Sequence, residues 1–347
     1  MMSNTSPDHP LRLMVVGAAG SGAGKSTVCL SILANLLETG RYQPEDIAYI
    51  KPCTQGIQPT LVAKWCQTNG VSYRHVGPVV FFRGFTKAFL EGSLNQEDYV
   101  NPEVLNEMVT AETGNGEAQQ LFEDPSLFRE LYTRTLRKWI KDAVDEISAN
   151  KKFVLIDGVG YPGVGSICGV CNGTVARVCK ANVLILGKAG LGDCIDSWNV
   201  ARTYMEEQLK SATTINSEQS SKSRVLGLLV TRVRTNGEMK KTQSVPLYFN
   251  SSTKINNYQC YGIIREQEDL FKEASSGDTS LADDNYAPPG KSSTCHISFK
   301  PVEHPQVAPK LSEGESELCK GLAREFLIDI GGVEGIDKLV EDCREEI

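Results

Sequence analysis

Residues 13–27, Leu13-Met14-Val15-Val16-Gly17-Ala18-Ala19-Gly20-Ser21-Gly22-Ala23-Gly24-Lys25-Ser26-Thr27, decide the fold. Four consecutive apolar residues read as a buried strand and the glycines as a tight loop. The segment Ser26 to Leu37, apolar at helical spacing, reads as a helix. Strand, glycine-rich turn and helix in that order make a cradle for phosphate, because loop N–H groups and the helix N-terminus point at one anion. The common pattern is Gly, four variable residues, then Gly-Lys-Ser/Thr. Here position 19 is Ala, and the glycines stand at 17, 20, 22 and 24, so the loop is a variant. Gly20, Ser21, Gly22, Ala23, Gly24, Lys25, Ser26 and Thr27 are expected to bind the phosphates of ATP, with Lys25 on the β/γ oxygens and the Ser26 hydroxyl on Mg²⁺.

Working outward, Ile47-Ala48-Tyr49-Ile50 reads as a short buried strand ending in Lys51-Pro52, and Thr60 to Cys66 as a helix. A long helical section from Ser126 to Ala149 leads into the strand Phe153-Val154-Leu155-Ile156-Asp157. Val183 to Gly187 and Val225 to Val230 are two further apolar strands, with a helix over Asp196 to Leu209 between them. Helices over Glu317 to Ile330 and Glu334 to Ile347 close the sequence, joined at Gly331-Gly332. Strands alternating with helices predict an α/β protein with a doubly wound, mostly parallel sheet. A flexible segment over 1–11 would precede a single domain over 12–347. Ser211 to Ser223 and Glu273 to Pro309, rich in Ser, Thr, Asp and Pro, read as surface loops or disordered inserts.

In such sheets the strand C-terminal ends face the ligand crevice. Lys51 and Thr54, in Lys51-Pro52-Cys53-Thr54-Gln55-Gly56, place an ammonium and a hydroxyl at one such end, and both are candidate substrate contacts. Lys51 joins Lys25 as a candidate catalytic cation beside the transferred phosphate. Asp157 closes another strand and is placed to bind Mg²⁺ directly or through water, while Gly158 and Gly160 after it allow close backbone approach to substrate.

The bulk composition narrows the partners. With 36 Lys and Arg against 43 Asp and Glu, the net charge of −7 argues against nucleic-acid or anionic-membrane surfaces. No apolar stretch approaches a membrane span, and the opening residues lack the basic and apolar regions of a secretory signal. Eleven cysteines without regular spacing fit reduced thiols, so a cytoplasmic setting and a small-molecule substrate are expected. Cys168-Gly169-Val170-Cys171 lacks the further ligands a closed zinc site needs and reads as two small residues in a glycine-rich loop.

Taken in order, these segments resemble dethiobiotin synthetase and its relatives in the P-loop class that also holds the cobyrinic and cobyric acid amidases and the partition ATPases. The family's ordered pattern is matched by Gly20 to Thr27, by Lys51-Pro52-Cys53-Thr54-Gln55-Gly56, by Asp157-Gly158-Val159-Gly160, by Gly190-Leu191-Gly192-Asp193 and by Val230-Thr231-Arg232. The resemblance adds Gly190 and Gly192 as substrate contacts, places Thr231 at the adenine-reading Asn, and implies a homodimer. It also implies an ATP- and Mg²⁺-dependent cyclo-ligase of the biotin-biosynthesis type, in which an amine takes up CO₂, the carbamate is phosphorylated, and a second amine displaces phosphate. Three departures bear on this expectation. Thr60 stands where the family has an acidic metal ligand, Gly22 stands where it has an acid in the loop, and Thr231 replaces its Asn. Arg83 and Lys87 near the substrate region read either as contacts for a negatively charged substrate or as a salt-bridged face. A regulatory or assembly ATPase without ligase chemistry and a small-molecule kinase are the alternative functions.

Overall fold

The computed structural model describes residues 9–19, 22–56, 58–81, 84–91, 125–210, 223–235, 237–251, 258–267 and 307–344. The chain runs β1 (Leu11–Gly17), α1 (Lys25–Glu38), β2 (Ile47–Ile50), β3 (Cys53–Thr54), α2 (Leu61–Asn69), β4 (Ser72–Arg74), β5 (Val79–Val80) and α3 (Phe85–Leu90). It continues through α4 (Pro125–Ser148), β6 (Phe153–Asp157), α5 (Asn172–Val178), β7 (Asn182–Lys188) and α6 (Gly192–Lys210). Then follow β8 (Val225–Val233), α7 (Gly237–Thr242), α8 (Val245–Ser251), β9 (Gln259–Arg265), α9 (Glu313–Asp329) and α10 (Val333–Arg344).

Seven strands form one sheet in the order β4-β2-β6-β1-β7-β8-β9, and every pairing is parallel. The short β3 and β5 pair separately, also in parallel. From β1 the chain passes outward to β2 and β4, returns to fill the gap with β6, and then crosses to β7 on the other side of β1. The loops after β1, β6 and β7 therefore open where the winding reverses, the usual crevice of a doubly wound sheet.

The central strands are apolar along their length because both faces are covered. On one face Leu13, Val15, Tyr49, Leu155 and Leu184 pack with α1, α2, α9 and α10. On the other, Met14, Val16, Ile156 and Ile185 pack with α3, α4, α5, α6 and α8. The two alternating sets follow from the two-residue period of a strand.

The five strands expected from apolar runs are present. β1 begins at Leu11, which pairs with Phe153, so the strand takes in the last residue of the expected flexible N-terminus. The C-terminal helices start earlier than the apolar spacing suggests, at Glu313 and Val333. Ser312 sets the first start through a capping box, its hydroxyl accepting from the Glu315 N–H while the Glu315 carboxylate accepts from the Ser312 N–H. The expected insert at 211–223 falls outside the described residues except Ser223. Of 273–309, only 307–309 are described, where the N–H of buried Ala308 donates to the Tyr73 hydroxyl at 2.7 Å.

Candidate functional site

Two strand ends and the first turn of α1 meet around one carboxylate. Asp157, the last residue of β6, is fully buried, and its Oδ2 accepts from the Ser26 hydroxyl and from the Tyr49 hydroxyl, each at 2.8 Å. Lys51, just past β2, holds its Nζ 4.0 Å from the same oxygen with its side chain only 19% exposed. The other oxygen, Oδ1, is buried without a hydrogen-bond partner among the described residues. A buried carboxylate oxygen left unpaired costs about 1–3 kcal/mol, so this atom marks a place for a donor or cation. Oδ1 and the Ser26 hydroxyl are oxygen donors of the type Mg²⁺ takes alongside phosphate and water oxygens. Among the described residues no cluster of three or more His, Cys, Asp or Glu could hold a metal by itself. The donor set thus fits a hard cation shared with a phosphate ligand.

Tyr49 stays a neutral donor here. Burial, reinforced by the charge of Asp157, pushes its phenol well above its ordinary value. The same two causes, in the same order, push the Cys29 thiol up on the adjoining turn of α1.

The loop reaches α1 through two glycines in left-handed conformations, Gly22 at φ 78° and Gly24 at φ 73°, which side chains adopt only with strain. Ala23 between them is buried. Lys25 opens α1, followed by Ser26 and Thr27. Gly20 and Ser21 lie outside the described residues. Thr231 is buried in β8, and its Oγ1 lies 2.9 Å from the Ala23 carbonyl and 3.1 Å from that of Gly187. It therefore ties the loop to β7 and β8, a different use from reading a base.

The other candidates divide by placement. Gly158 packs so tightly that a Cβ would lie 2.8 Å from the Val15 carbonyl oxygen and 2.9 Å from Oδ1 of Asn172. Asn172 in turn fastens the loop after β6, its amide bonding Val159 and Tyr161. Gly160 takes φ 57°, and a Cβ there would meet Val164 at 2.7 Å. Thr54 is buried in its own turn, with its hydroxyl donating to the Gly56 carbonyl at 2.6 Å. Gly190 and Gly192 follow β7 with open space around them, and the Gly190 N–H donates to Oγ1 of Thr242. Thr60 occupies the N-cap position of α2, its hydroxyl buried and without a partner among the described residues. Lys87 is exposed and paired with Glu91 at 3.7 Å, which favours the salt-bridged face at that residue; Arg83 lies outside the described residues. Cys168 and Cys171 are buried, and burial pushes the Cys168 thiol up to about 11.

Beside the loop, a cavity of about 480 Å³ opens between the first turn of α1, the ends of β8 and β9, and α9. Val28, Ile264, Leu322 and Phe326 give it an apolar lining, and Arg232, Glu266 and Gln267 a polar rim. Its size is that of small-molecule sites. The residue patterns that reveal the loop carry no sign of this cavity, because its walls come from three separate parts of the chain. Tyr49 was detectable only as a lone hydroxyl in an otherwise aliphatic strand, two residues before Lys51.

No protein-family model matches the chain, and no curated protein is significantly similar to it.

Proposed function

We propose that the protein binds ATP with Mg²⁺ at the loop between β1 and α1 and is a dethiobiotin synthetase-like ligase acting on a small substrate at the strand ends. The observation that carries this reading is the convergence of Ser26, Lys51 and Asp157, from three separate segments, on one buried carboxylate beside a glycine-rich loop. Loop N–H groups and Lys25 would hold the phosphates, and Ser26 with Asp157 would hold Mg²⁺. The metal would neutralise charge developing on the transferred phosphoryl group. Lys51, fixed by its ion pair and low exposure, would place a second cation where a carbamate oxygen meets that group. The reaction would be carbamate formation from an amine and CO₂, phosphorylation of the carbamate, and ring closure by a second amine with release of phosphate. The resemblance also carries the proposal of a homodimer.

ADP release measured with diaminopelargonate and bicarbonate tests this function. Substrate-dependent release is expected, together with a loss of about a hundredfold or more in Lys25→Ala, the usual scale for removing a cation or donor at developing charge. Absence of nucleotide binding with Mg²⁺, or an unchanged Lys25→Ala, would sink the assignment. A second reading, an ATPase with a regulatory or assembly role, is favoured by Thr60, which caps α2 without an acid. Turnover that ignores the diamine selects it.

A further inference from the structure

Arg232 is the residue the sequence pattern passes over and the geometry singles out. It sits in β8 with a left-handed backbone at φ 58°, unusual for a side-chain-bearing residue. That turn swings its side chain off the sheet and across the glycine-rich loop. Nη1 donates to the Gly22 carbonyl at 2.8 Å. Nε and Nη2 both donate to Oε1 of Glu266, at 3.0 and 2.8 Å. A guanidinium has five N–H donors, and three are thereby used, leaving two without an acceptor among the described residues. The side chain is 57% exposed and borders the cavity together with Gly22, Gly24 and Thr27. Glu266 is itself held by Arg234 at 3.0 Å, so the acid that aims Arg232 is anchored on its far side.

The position of the guanidinium matters more than its charge. The guanidinium touches the loop through the Gly22 carbonyl and borders the cavity beside it. A nucleotide with its terminal phosphates on the loop and its nucleoside in the cavity must pass Arg232 where the two halves join. Two unengaged N–H donors on a planar guanidinium suit a phosphate at that junction. We propose that Arg232 binds the α-phosphate of the nucleotide, beside a loop that carries Gly22 and no acid at that position, and that Glu266 orients it. The proposal rests on the nucleotide-binding reading above.

Calorimetric binding of ADP and of inorganic pyrophosphate, both with Mg²⁺, tests it. Pyrophosphate can occupy the loop alone, whereas ADP spans loop and junction. Arg232→Gln should weaken ADP about tenfold or more and leave pyrophosphate within about twofold, the size expected for losing a charge-assisted pair of hydrogen bonds. Arg232→Lys, which keeps the charge but loses the fork, should recover only part of the ADP affinity and guards against a folding defect in the first variant. Glu266→Gln should weaken ADP several-fold. Equal losses for both ligands would reduce Arg232 to a clamp on the loop and overturn the proposal, as would wild-type ADP affinity in Arg232→Gln. A wild-type protein that bound pyrophosphate but not ADP would overturn it while leaving the loop intact; one that bound neither would remove the parent reading as well.

Discussion

At the scale of single residues, Asp157 concentrates the energetics of the site. Its carboxylate is fully enclosed, and two neutral hydroxyls and one ammonium face a single oxygen. Tyr49 cannot serve as a base, since burial and the neighbouring charge hold its proton in place. Its role is to fix the carboxylate so that the unpaired oxygen keeps one direction. Tyr49→Phe removes a buried hydrogen bond to a charged acceptor, so unfolding in urea should show a loss of about 1.5–3 kcal/mol. A stability change below about 0.5 kcal/mol would mean that Ser26 and Lys51 suffice to hold Asp157. Residue-level chemistry was legible for Lys51 and Asp157 because each closes an apolar run, and for Ser26 because it follows Gly24-Lys25 in the glycine-rich loop pattern. It was not legible for Arg232 or Glu266, which look like ordinary surface charges until a left-handed backbone brings Arg232 to the loop and pairs it with Glu266.

At the scale of elements, α9 is fastened to the sheet and to two helices of the same layer. Asn35 of α1 donates to the Ala323 carbonyl at 2.9 Å, and Arg265 of β9 bonds Asp329 and Glu325. Lys64 of α2 reaches Glu315 at 2.6 Å, with both side chains mostly buried. Burial works against ionisation of Glu315, yet Lys64 and the Ser312 cap outweigh it and hold the carboxyl below its ordinary 4.5. A depressed folded value means that the contribution is complete above pH 4.5 and fades as pH falls through that lower value. Lys64→Met should therefore cost about 1 kcal/mol at pH 7, the upper end for a partly exposed pair. The gap from wild type should narrow in urea titrations repeated at pH 4 and 3, and a constant gap would assign the loss to packing of the Lys64 stem instead. Edge elements were the ones the sequence hid. β4, Ser72-Tyr73-Arg74, is half-buried throughout, and β9 is mostly so, because each has a partner on one side only. Neither shows the continuous apolar run that marks β1, β6 and β7.

At the scale of the molecule, two cores on either side of one parallel sheet account for most of the buried apolar residues. The cysteines belong to them. Ten are described, all free thiols, and nine of these are buried. Burial pushes Cys179, Cys194, Cys319 and Cys343 up to about 12, far from the thiolate that reacts. A disulfide reagent at pH 7.5 should accordingly modify at most Cys260, which is only partly buried, and Cys295, which lies outside the described residues, until the protein unfolds. Rapid reaction of several thiols under native conditions would contradict the packing. None of the described helices is long and apolar enough to cross a membrane.

The cavity's far wall has a temporal consequence. Leu322, Glu325 and Phe326 belong to α9, whereas Thr27 and Val28 lie in the first turn of α1. During synthesis the loop and its strands emerge long before the helix that completes the pocket, and until then α1 presents an uncovered apolar flank. A chain halted before residue 313 would keep the glycine-rich loop and lack one wall of the cavity beside it. A small molecule seated in this cavity would then reinforce only those copies whose chain had been made through α9.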